Sequence, residues 1–298
     1  MVLKTFDEVL ERVKNLSRKK SGVVVAADEP TIIAALEAEK NGLVVPSFIG
    51  NKADIVQILE KLKVEKNYDV YDVPNTAEAA RLAVELVKNG TVDFIIKGCL
   101  DTSVLLKAVV NREEGLGTGR LMSHIAFNEV RTYHKLLITT DGGMNLYPDV
   151  NQKQQIIENA VEVLKKLGYD KPKVACLAAV EKVNPKMPET VDAMELKKRN
   201  QEGVLKDCVV EGPISFDLAF DKNAAMHKNY ESPVAGDADV LLVPNIAVGN
   251  VLGKSLVHAA GGRMAGLVVG ARCPIIITSR SSTAEEKFLS TALASLIG

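Results

Sequence analysis

The segment TSRSSTAEEK, residues 278–287, gathers hydroxyl groups, an arginine and carboxylates where an apolar run ends and a helical pattern begins. Ser279, Arg280 and the first backbone N–H groups of that helix could together hold a phosphate, because a guanidinium and a helix N-terminus both attract anions. Capping-box patterns that start at Ser282 and at Thr283 offer a structural alternative. The segment therefore indicates either an anion site or a capped helix.

A second strand-to-helix turn lies in VPNIAVGNVLGKS, residues 243–255. Its sequence is close to a phosphate-binding P-loop, which has four residues between the first glycine and Gly-Lys-Ser/Thr. Only three residues separate Gly249 from Gly253 here. This spacing excludes the P-loop pattern, but a helix N-terminus at the turn would still attract an anion. We therefore expect a phosphate-bearing ligand rather than NTP hydrolysis.

Two further loops contain polar residues whose role the pattern leaves open. ITTDGGMNLYPD, residues 138–149, presents Asp141 after an apolar run, but it does not match the calcium-loop pattern, and an Asx-turn accounts for the aspartate equally well. GLGTGR, residues 115–120, lacks the spacing and the preceding strand of a dinucleotide fingerprint. Arg120 either contacts an anion in a cleft or belongs to a solvated turn. We expect no metal site.

Histidines and cysteines show no catalytic or metal-binding spacing. The histidines are His124, His134, His227 and His258, and the cysteines are Cys99, Cys176, Cys208 and Cys273. The HExxH and GxSxG patterns are absent, so we interpret the histidines as structural. The cysteines lie in apolar surroundings without CxxC spacing, which argues against a zinc site or a disulfide framework. Such thiols are typical of the reducing cytoplasm.

The elements that must position these residues follow from the apolar periodicity. Seven β-branched runs are candidate strands: SGVVVAA, GLVVPSFIG, TVDFIIKG, HKLLITTDGG, PKVACLAAV, ADVLLVPN and CPIIITSR. Segments between them, such as PNTAEAARLAVELVKNG and VNQKQQIIENAVEVLKKLG, repeat apolar residues three and four positions apart. This alternation predicts an α/β protein with parallel, doubly wound sheets. Ligands bind beyond the carboxyl ends of such strands, where Lys97, Asp141, Asn245 and Arg280 stand.

Length and composition limit the class of protein further. A chain of 298 residues can form one large or two medium domains, and a boundary is predicted near Tyr133, after the loop EEGLGTGRLMSH. The formal net charge of −1 argues against a nucleic-acid or anionic-membrane partner. No apolar run approaches the ~20 residues of a membrane span, and the first residues predict an amphipathic helix rather than a signal peptide.

Several long segments together resemble the phosphate acetyl/butyryl transferase family in their amino-acid sequence and in their order along the chain. They are KGCLDTSVLLKAVV, TTDGGMNLYPD, AVEKVNPKMPETVDA, VEGPISFDLAFD, SPVAGDADVLLVPNIAVGNVLGKSLVHAAGG and CPIIITSRSSTAEEK. The resemblance extends from Lys97 to the C-terminus, and VEKVNPKMP and SPVAGDAD are most similar to the butyryl and branched-chain members. It implies that the chain converts acyl-CoA and inorganic phosphate into acyl phosphate and CoA, or the reverse.

The resemblance also implies a fold and an assembly. Family members consist of two doubly wound α/β domains like those of isocitrate and isopropylmalate dehydrogenases, with the active site in the cleft between them. The C-terminal helix returns to the first domain, so we expect domain I to comprise residues 1–133 and 277–298, and domain II residues 134–276. We further expect a homodimer or larger homo-oligomer, with CoA as a substrate and no tightly bound cofactor.

The family's motifs assign site residues position by position. The serine-arginine motif that contacts phosphate and CoA corresponds to Ser279 and Arg280, and the acidic base six positions after the arginine corresponds to Glu286, with Glu285 beside it as the alternative. The expected contacts with phosphate and CoA are Ser279, Arg280, Asn245, Gly249, Asn250, Lys254, Lys97, Asp141 and Arg120. Butyryl-type relatives read GLRTG where this chain reads GLGTG, so we assign no role to Gly117.

The implied chemistry suits these residue types. A thiol with a pKa near ~8.5 is mostly protonated at neutral pH, so the carboxylate of Glu286 could accept its proton during attack on an acyl phosphate. Arg280 and helix N–H groups would hold the charge of the departing phosphate. We expect direct transfer in a ternary complex, without an acyl-enzyme. The alternatives are a phosphate acetyltransferase, a metal- and NAD(P)-dependent decarboxylase, and a noncatalytic sensor of acyl-CoA or acyl phosphate.

Overall fold

A computed structural model describes residues 2–278 and 282–298. In chain order its helices are α1 (Phe6–Lys14), α2 (Glu29–Lys40), α3 (Lys52–Lys61), α4 (Thr76–Lys88), α5 (Thr102–Val109), α6 (Val150–Lys166), α7 (Pro188–Gln201), α8 (Phe216–Phe220), α9 (Lys222–His227), α10 (Ile246–His258) and α11 (Ala284–Ile297). Its strands are β1 (Lys19–Val24), β2 (Val44–Gly50), β3 (Val70–Asp72), β4 (Phe94–Lys97), β5 (Ser123–Glu129), β6 (Leu137–Thr140), β7 (Lys173–Leu177), β8 (Val209–Ile214), β9 (Val240–Leu242), β10 (Arg263–Val269) and β11 (Ile275–Ile276). None of the helices so described is sufficiently long and apolar to cross a membrane.

The chain forms two compact units. The N-terminal unit contains Asp7–Arg120 and Ala265–Gly298, and the central unit contains Leu121–Met264 together with the residues up to Phe6. These limits differ from the predicted domain limits near residues 133 and 277. The difference arises because β5 pairs with β6, which draws residues 121–133 into the central unit, and β11 pairs with β4, which draws residues 265–276 into the N-terminal unit.

The N-terminal unit is built on a mostly parallel sheet. Its described strands follow the order β3-β2-β1-β4-β11, all parallel, and β10 joins β11 in the antiparallel direction at the pair Val268 and Ile275. The chain winds outward from β1 to β3 and then returns past β1 to β4, so the direction of winding reverses between β1 and β4. Ligands of open α/β sheets bind at such a switch point, beyond the carboxyl ends of the two strands.

Apolar residues from both sheet and helices fill the core of this unit. Val23 of β1 and Phe48 of β2 pack with Ile32 of α2 and Ile55 of α3, and all four side chains are fully buried. Burial of each such side chain stabilises the fold by about 1.5–3 kcal/mol. The last helix, α11, packs against α2, which places the end of the chain with its first half.

Among the described residues, the central unit contains five strands, which pair in an order of their own. The strand order is β5-β6-β9-β7-β8, in which β6, β9, β7 and β8 are parallel and β5 is antiparallel to β6. Its core draws Leu137, Leu241, Ala175 and Ile214 from these four parallel strands, and each is nearly or completely inaccessible to solvent. The parallel strands set the carboxyl ends of β6 and β9 next to each other, which is where the predicted loops begin.

The predicted fold class is confirmed as mixed α/β, with differences in detail. All seven candidate runs contain strands, but the apolar pattern misses β3, β5, β8 and β10. The expectation of wholly parallel sheets is wrong for the neighbours β5–β6 and β10–β11, which are antiparallel. The predicted loop EEGLGTGRLMSH also ends earlier than expected, because Ser123 and His124 already belong to β5. Most residues of β5 are buried, so it lacks the apolar-polar alternation that marks a half-exposed strand.

Candidate active site

In the central unit, β6 and β9 end side by side and lead into two loops predicted to bind ligand. Thr140 pairs with Leu242, and these are the last residues of the two parallel strands. The loop that starts at Asp141 follows β6, and the turn that ends at Asn245 follows β9. The fold therefore brings two segments that are distant in the sequence to one edge of the sheet.

The two segments touch through a pair of glycines. A Cβ atom added at Gly249 would lie 2.7 Å from the Cα of Gly142 and 2.9 Å from the carbonyl oxygen of Asp141. A Cβ atom added at Gly142 would lie 2.9 Å from the carbonyl carbon of Gly249. Because the neighbouring atoms belong to the backbone and cannot rotate away, both positions require glycine.

The buried carboxylate of Asp141 organises the loop after β6. Its Oδ1 accepts hydrogen bonds from the backbone N–H groups of Gly143 and Met144, both at 2.8 Å. Its Oδ2 accepts one from the N–H of His124 at 3.1 Å and one from the side-chain amide of Asn145 at 2.6 Å. These bonds replace the water that the carboxylate loses on burial. They agree with the Asx-turn interpretation, and a contact between Asp141 and substrate stays a prediction.

His124 stands beside this loop, at the start of β5. Its carbonyl oxygen accepts a hydrogen bond from the hydroxyl of Thr140 at 2.9 Å. Its Nδ1 is buried, and no described residue supplies that atom with a hydrogen-bond partner. Burial lowers the pKa of the imidazole, and the charge of Asp141 opposes this shift. The ring is thus neutral at pH 7. The spacing of the histidines in the sequence does not predict that His124 lies beside this loop.

The turn after β9 forms the N-cap of α10. Asn245 Oδ1 accepts a hydrogen bond from the N–H of Val248 at 3.1 Å, and the helix begins at the next residue after the cap. Asn250 and Lys254 are exposed on α10, whereas Gly249 is buried against the loop after β6. A helix N-terminus and two exposed polar side chains therefore occur together, which suits an anionic ligand.

A second polar cluster joins the carboxyl ends of β7 and β8. The Ser215 hydroxyl donates to Glu181 Oε1 at 2.5 Å, and Lys228 Nζ lies 3.3 Å from the same oxygen and 3.0 Å from Asp217 Oδ2. The hydrogen bond from Ser215 is the main reason why the pKa of Glu181 lies below its ordinary value. Glu181 and Ser215 belong to the segments AVEKVNPKMP and VEGPISFD, but local spacing within either segment contains no information about their contact.

In the N-terminal unit, the carboxyl ends of β1 and β4 meet at the switch point. The N–H of Gly98 donates to the carbonyl of Val24 at 2.8 Å, and the N–H of Cys99 donates to that of Val25 at 3.0 Å. A Cβ atom at Gly98 would lie 2.6 Å from the Val24 carbonyl oxygen, so only glycine fits. Lys97, the last residue of β4, is half-buried beside this junction, and its Nζ donates to the carbonyl of Gly98 at 3.4 Å.

The glycine loop GLGTGR is held against the segment that follows β10. The hydroxyl of Thr118 donates to the carbonyl of Gly270 at 2.7 Å, and Gly117 forms an antiparallel bridge with Ala271. A Cβ atom added at Gly117 would meet no atom within 4 Å. The position therefore has room for the arginine of the GLRTG pattern. Arg120 is exposed at the end of this loop.

The segment leading into α11 caps the helix, as one of the two interpretations predicts. Thr283 is the N-cap, and its Oγ1 accepts a hydrogen bond from the N–H of Glu286 at 3.1 Å. The Glu286 carboxylate instead accepts a hydrogen bond from the hydroxyl of Ser282 at 2.8 Å. Glu286 is half-buried and Glu285 is exposed, so the two candidate bases occupy different surroundings.

The predicted contacts fall into groups within the two units. The central unit contains Asp141, Asn245, Gly249, Asn250 and Lys254, and the N-terminal unit contains Lys97, Arg120 and Glu286. Ser279 and Arg280, the predicted phosphate contacts, lie outside the described residues. Their role stays a prediction.

Three of the cysteines are poor candidates for a nucleophile. Burial raises the pKa of Cys208 and of Cys273 to about 12, and it raises the pKa of Cys176 even further. The thiolate is the reactive form of cysteine, and these three side chains are almost wholly protonated at neutral pH. Cys99, by contrast, is exposed next to the switch point.

Comparison with known proteins places this arrangement in a family. Residues 72–295 match the family model for phosphate acetyl/butaryl transferase. The chain belongs to the phosphate acetyl/butyryl transferase family. The match includes the segments around Lys97, Asp141, Asn245 and Glu286, so the residues brought together in both units lie within the part of the chain that defines the family.

Individual members of the phosphate acetyl/butyryl transferase family are similar over nearly their whole length. A phosphate butyryltransferase of Clostridium acetobutylicum is 41% identical over 297 residues, which cover 99% of each chain. A phosphate acetyltransferase of Thermotoga maritima is 39% identical over 96% of this chain and 99% of that protein. The crystal structure of a branched-chain phosphotransacylase from Enterococcus faecalis V583 has a TM-score of 0.83 and 33% identity, over 93% of this chain and 99% of that one.

Proposed function

We propose that this protein is a phosphate butyryltransferase-type enzyme, which moves a butyryl or branched-chain acyl group between CoA and inorganic phosphate. The observation that carries the proposal is the similarity, over almost the entire chain, to a protein named phosphate butyryltransferase. The likeness to the structure of a branched-chain phosphotransacylase supports the same class of acyl group. CoA is a substrate in this proposal, and no tightly bound cofactor is needed.

Each unit by itself has polar features that suit an anionic group such as those of CoA and phosphate. In the central unit, the N-terminus of α10 stands with the exposed side chains of Asn250 and Lys254. In the N-terminal unit, Lys97 lies at the switch point between β1 and β4. We assign Ser279 and Arg280 to the phosphate that reacts, because a guanidinium can form paired hydrogen bonds with phosphate oxygens.

Glu286 is the proposed base, and the transfer is direct. A phosphate oxygen forms a bond to the thioester carbonyl carbon, and the carbonyl electron pair moves onto its oxygen. When the carbonyl forms again, the C–S bond breaks and its electron pair goes to sulfur. The proton of hydrogen phosphate passes to the Glu286 carboxylate and then to sulfur, so CoA leaves as the thiol. The hydrogen bond from Ser282 to Glu286 orients this carboxylate.

A phosphate acetyltransferase is the second candidate, and the similarity to the Thermotoga maritima protein favours it. The two activities differ only in the length of the acyl chain. One methylene group in an apolar pocket changes binding by about 1–3 kcal/mol, so chain preference is a matter of relative rates. Comparison of kcat/KM for acyl-CoA substrates of different length separates the two candidates.

The fold and the assembly complete the proposal. The two units correspond to two doubly wound domains of the isocitrate and isopropylmalate dehydrogenase type, which associate as a homodimer or larger homo-oligomer in the cytoplasm. Separate apolar cores in the two units support the two-domain description. The place of α11 in the N-terminal unit supports a discontinuous first domain.

Phosphate-dependent release of the CoA thiol tests the proposed function. Native protein is mixed with acetyl-, butyryl- or isovaleryl-CoA, with and without phosphate. We expect release that requires phosphate, prefers the longer chains, and falls about 10²–10³-fold in Arg280→Ala. Arg112→Ala, which removes an exposed arginine of the same unit, is the matched control and should retain full activity. A folded native protein that releases no thiol from any acyl-CoA would contradict the enzyme assignment, and acyl-CoA binding without turnover would indicate a sensor.

A further inference from the structure

The backbone of His124 is fixed where the loop after β6 begins. The antiparallel register pairs Ala126 with Thr139, so His124 lies opposite Asp141, just beyond the end of β6. Its N–H donates to the Asp141 carboxylate at 3.1 Å, and its carbonyl accepts from the Thr140 hydroxyl at 2.9 Å. These two hydrogen bonds, on either side of the residue, fix the position of its Cα. The side chain therefore extends from a defined point at this edge of the sheet.

The ring of His124 packs directly against the loop backbone. A Cβ atom added at Gly143 would lie 2.9 Å from Cγ of the imidazole and 3.2 Å from its Nδ1. Gly143 therefore covers the Nδ1 side of the ring, and a side chain at that position would displace the imidazole. This contact explains why the second residue after Asp141 in the DGG sequence is glycine. The contact with Gly249 explains why the first, Gly142, is glycine.

The two ring nitrogens of His124 have different surroundings. Nδ1 is buried and has no hydrogen-bond partner among the described residues. The same is not true of Nε2, and the residue as a whole is only partly buried. A buried N–H without a partner is rarer and more costly than a buried acceptor without one. The favoured tautomer therefore carries its proton on Nε2, which directs an N–H donor away from Gly143.

A neutral donor suits an oxygen that is uncharged before the reaction and charged during it. Burial lowers the pKa of this imidazole, so the ring stays neutral at pH 7 and its N–H is retained. A neutral histidine acts in this way as an electrophile toward a carbonyl in other enzymes. Phosphate, which is anionic throughout the reaction, is better matched by a side chain that is always positively charged, such as that of an arginine or a lysine. The thioester carbonyl oxygen is the group in the proposed reaction that gains charge only during transfer.

We propose that His124 donates its Nε2–H to the carbonyl oxygen of the acyl group and stabilises the negative charge that this oxygen acquires as the group passes between sulfur and phosphate. The inference rests on the proposed function. His124 neither gains nor loses a proton in the step, because the carbonyl electron pair moves onto oxygen and returns when the C–S or the C–O bond breaks. His124 is a catalytic residue in this proposal, because it touches the reacting group.

Asparagine and glutamine distinguish the two ring nitrogens. The amide nitrogen of glutamine can occupy the place of Nε2, whereas that of asparagine reaches only the place of Nδ1. We expect His124→Asn and His124→Leu to lower kcat about 10²–10³-fold, the loss typical of one oxyanion donor, while His124→Gln recovers most of the activity. KM for acyl-CoA and the Kd for CoA, measured by calorimetry, should change little in all three variants. His227→Asn, at an exposed histidine of the same unit, is the matched control.

Equal losses of kcat in the asparagine and glutamine variants, or a loss confined to KM, would assign His124 to loop packing and overturn the inference. Full activity of His124→Asn would overturn it as well. The native protein, assayed first, separates this result from failure of the proposed function: absence of phosphate-dependent thiol release in the native protein contradicts the function itself. Thermal unfolding of each variant identifies a loss that comes from misfolding, and the asparagine-glutamine pair remains decisive if the leucine variant does not fold.

Discussion

Gly142 and Gly249 lie backbone to backbone, and their contact joins the loop after β6 to the first turn of α10. The Cα of Gly142 occupies the space that a Cβ at Gly249 would need, since that atom would lie 2.7 Å away. The contact brings the N-terminus of α10 close to the loop that Asp141 organises and that packs on His124. Two glycines thus set the spacing between a helix terminus that suits anions and a neutral imidazole.

Alanine at Gly249 should destabilise the central unit. We expect Gly249→Ala to lower the free energy of unfolding by about 1–3 kcal/mol, because the new methyl group meets backbone atoms that cannot move aside. Gly253→Ala is the control: it lies in the same helix, and a Cβ there meets no atom within 4 Å. That variant should gain up to about 1 kcal/mol from helix propensity. Urea unfolding measures both, and equal effects would contradict the backbone contact.

The amino-acid sequence predicts which two strand ends meet at this site, but not every residue that lies there. Apolar periodicity identifies β6 and β9, and parallel pairing brings their carboxyl ends together, so Asp141 and Asn245 are expected at one edge. The role of His124 is not predictable in this way, because β5 is buried on most of its length and begins within what reads as a polar loop. The contact between Ser215 and Glu181 depends on the packing of two strand ends, which local spacing does not encode.

The two neighbouring glutamates at the start of α11 should respond differently to the same substitution. We expect Glu286→Gln to lower kcat about 10²–10⁴-fold, because the amide cannot accept a proton. Glu285→Gln should leave kcat close to the native value, since Glu285 is exposed and Glu286 is half-buried with a hydrogen bond from Ser282. Thiol release measures both variants. Thr283→Ala, which removes the N-cap at a cost of about 1 kcal/mol, shows how far a loosened helix terminus alone lowers the rate.

Asp141 should be essential to the folded loop, unlike a second aspartate nearby. In Asp141→Asn, an amide nitrogen would face the donors of His124 and Asn145, which now bind Oδ2. We expect a loss of about 1–3 kcal/mol for each buried group left without a partner. Asp149→Asn should be nearly neutral, because asparagine is as good an N-cap as aspartate and Asp149 caps α6. Thermal unfolding of the two variants tests this contrast, and equal Tm values would contradict it.

Direct transfer predicts that the exposed thiol is dispensable. Cys99 is the cysteine whose surroundings leave it accessible, while burial keeps Cys176, Cys208 and Cys273 protonated. We expect Cys99→Ser to retain most of the native kcat, and no acylated cysteine to form when native protein meets butyryl-CoA without phosphate. Intact-protein mass spectrometry after rapid mixing measures the acyl adduct. A stoichiometric mass increase on the native chain that is lost in Cys99→Ser would establish an acyl-enzyme instead.

The partly buried imidazole of His124 should make the stability of the protein depend on pH in a defined direction. Its pKa in the folded protein lies below the ordinary value of 6.5, so between these two pKa values the unfolded chain binds the proton and the folded chain does not. Stability conferred by the native residue is therefore complete above pH 6.5 and declines as the pH falls below it. His124→Gln, which does not titrate, should lose less stability than native protein between pH 7.5 and about 5. Urea midpoints of the two proteins across this range measure the difference. If the native protein instead gains stability relative to the variant at acid pH, the imidazole has a higher pKa in the folded protein than in the unfolded chain. The ring would then be a cation paired with the Asp141 carboxylate. Such a charged ring could not act as the neutral donor.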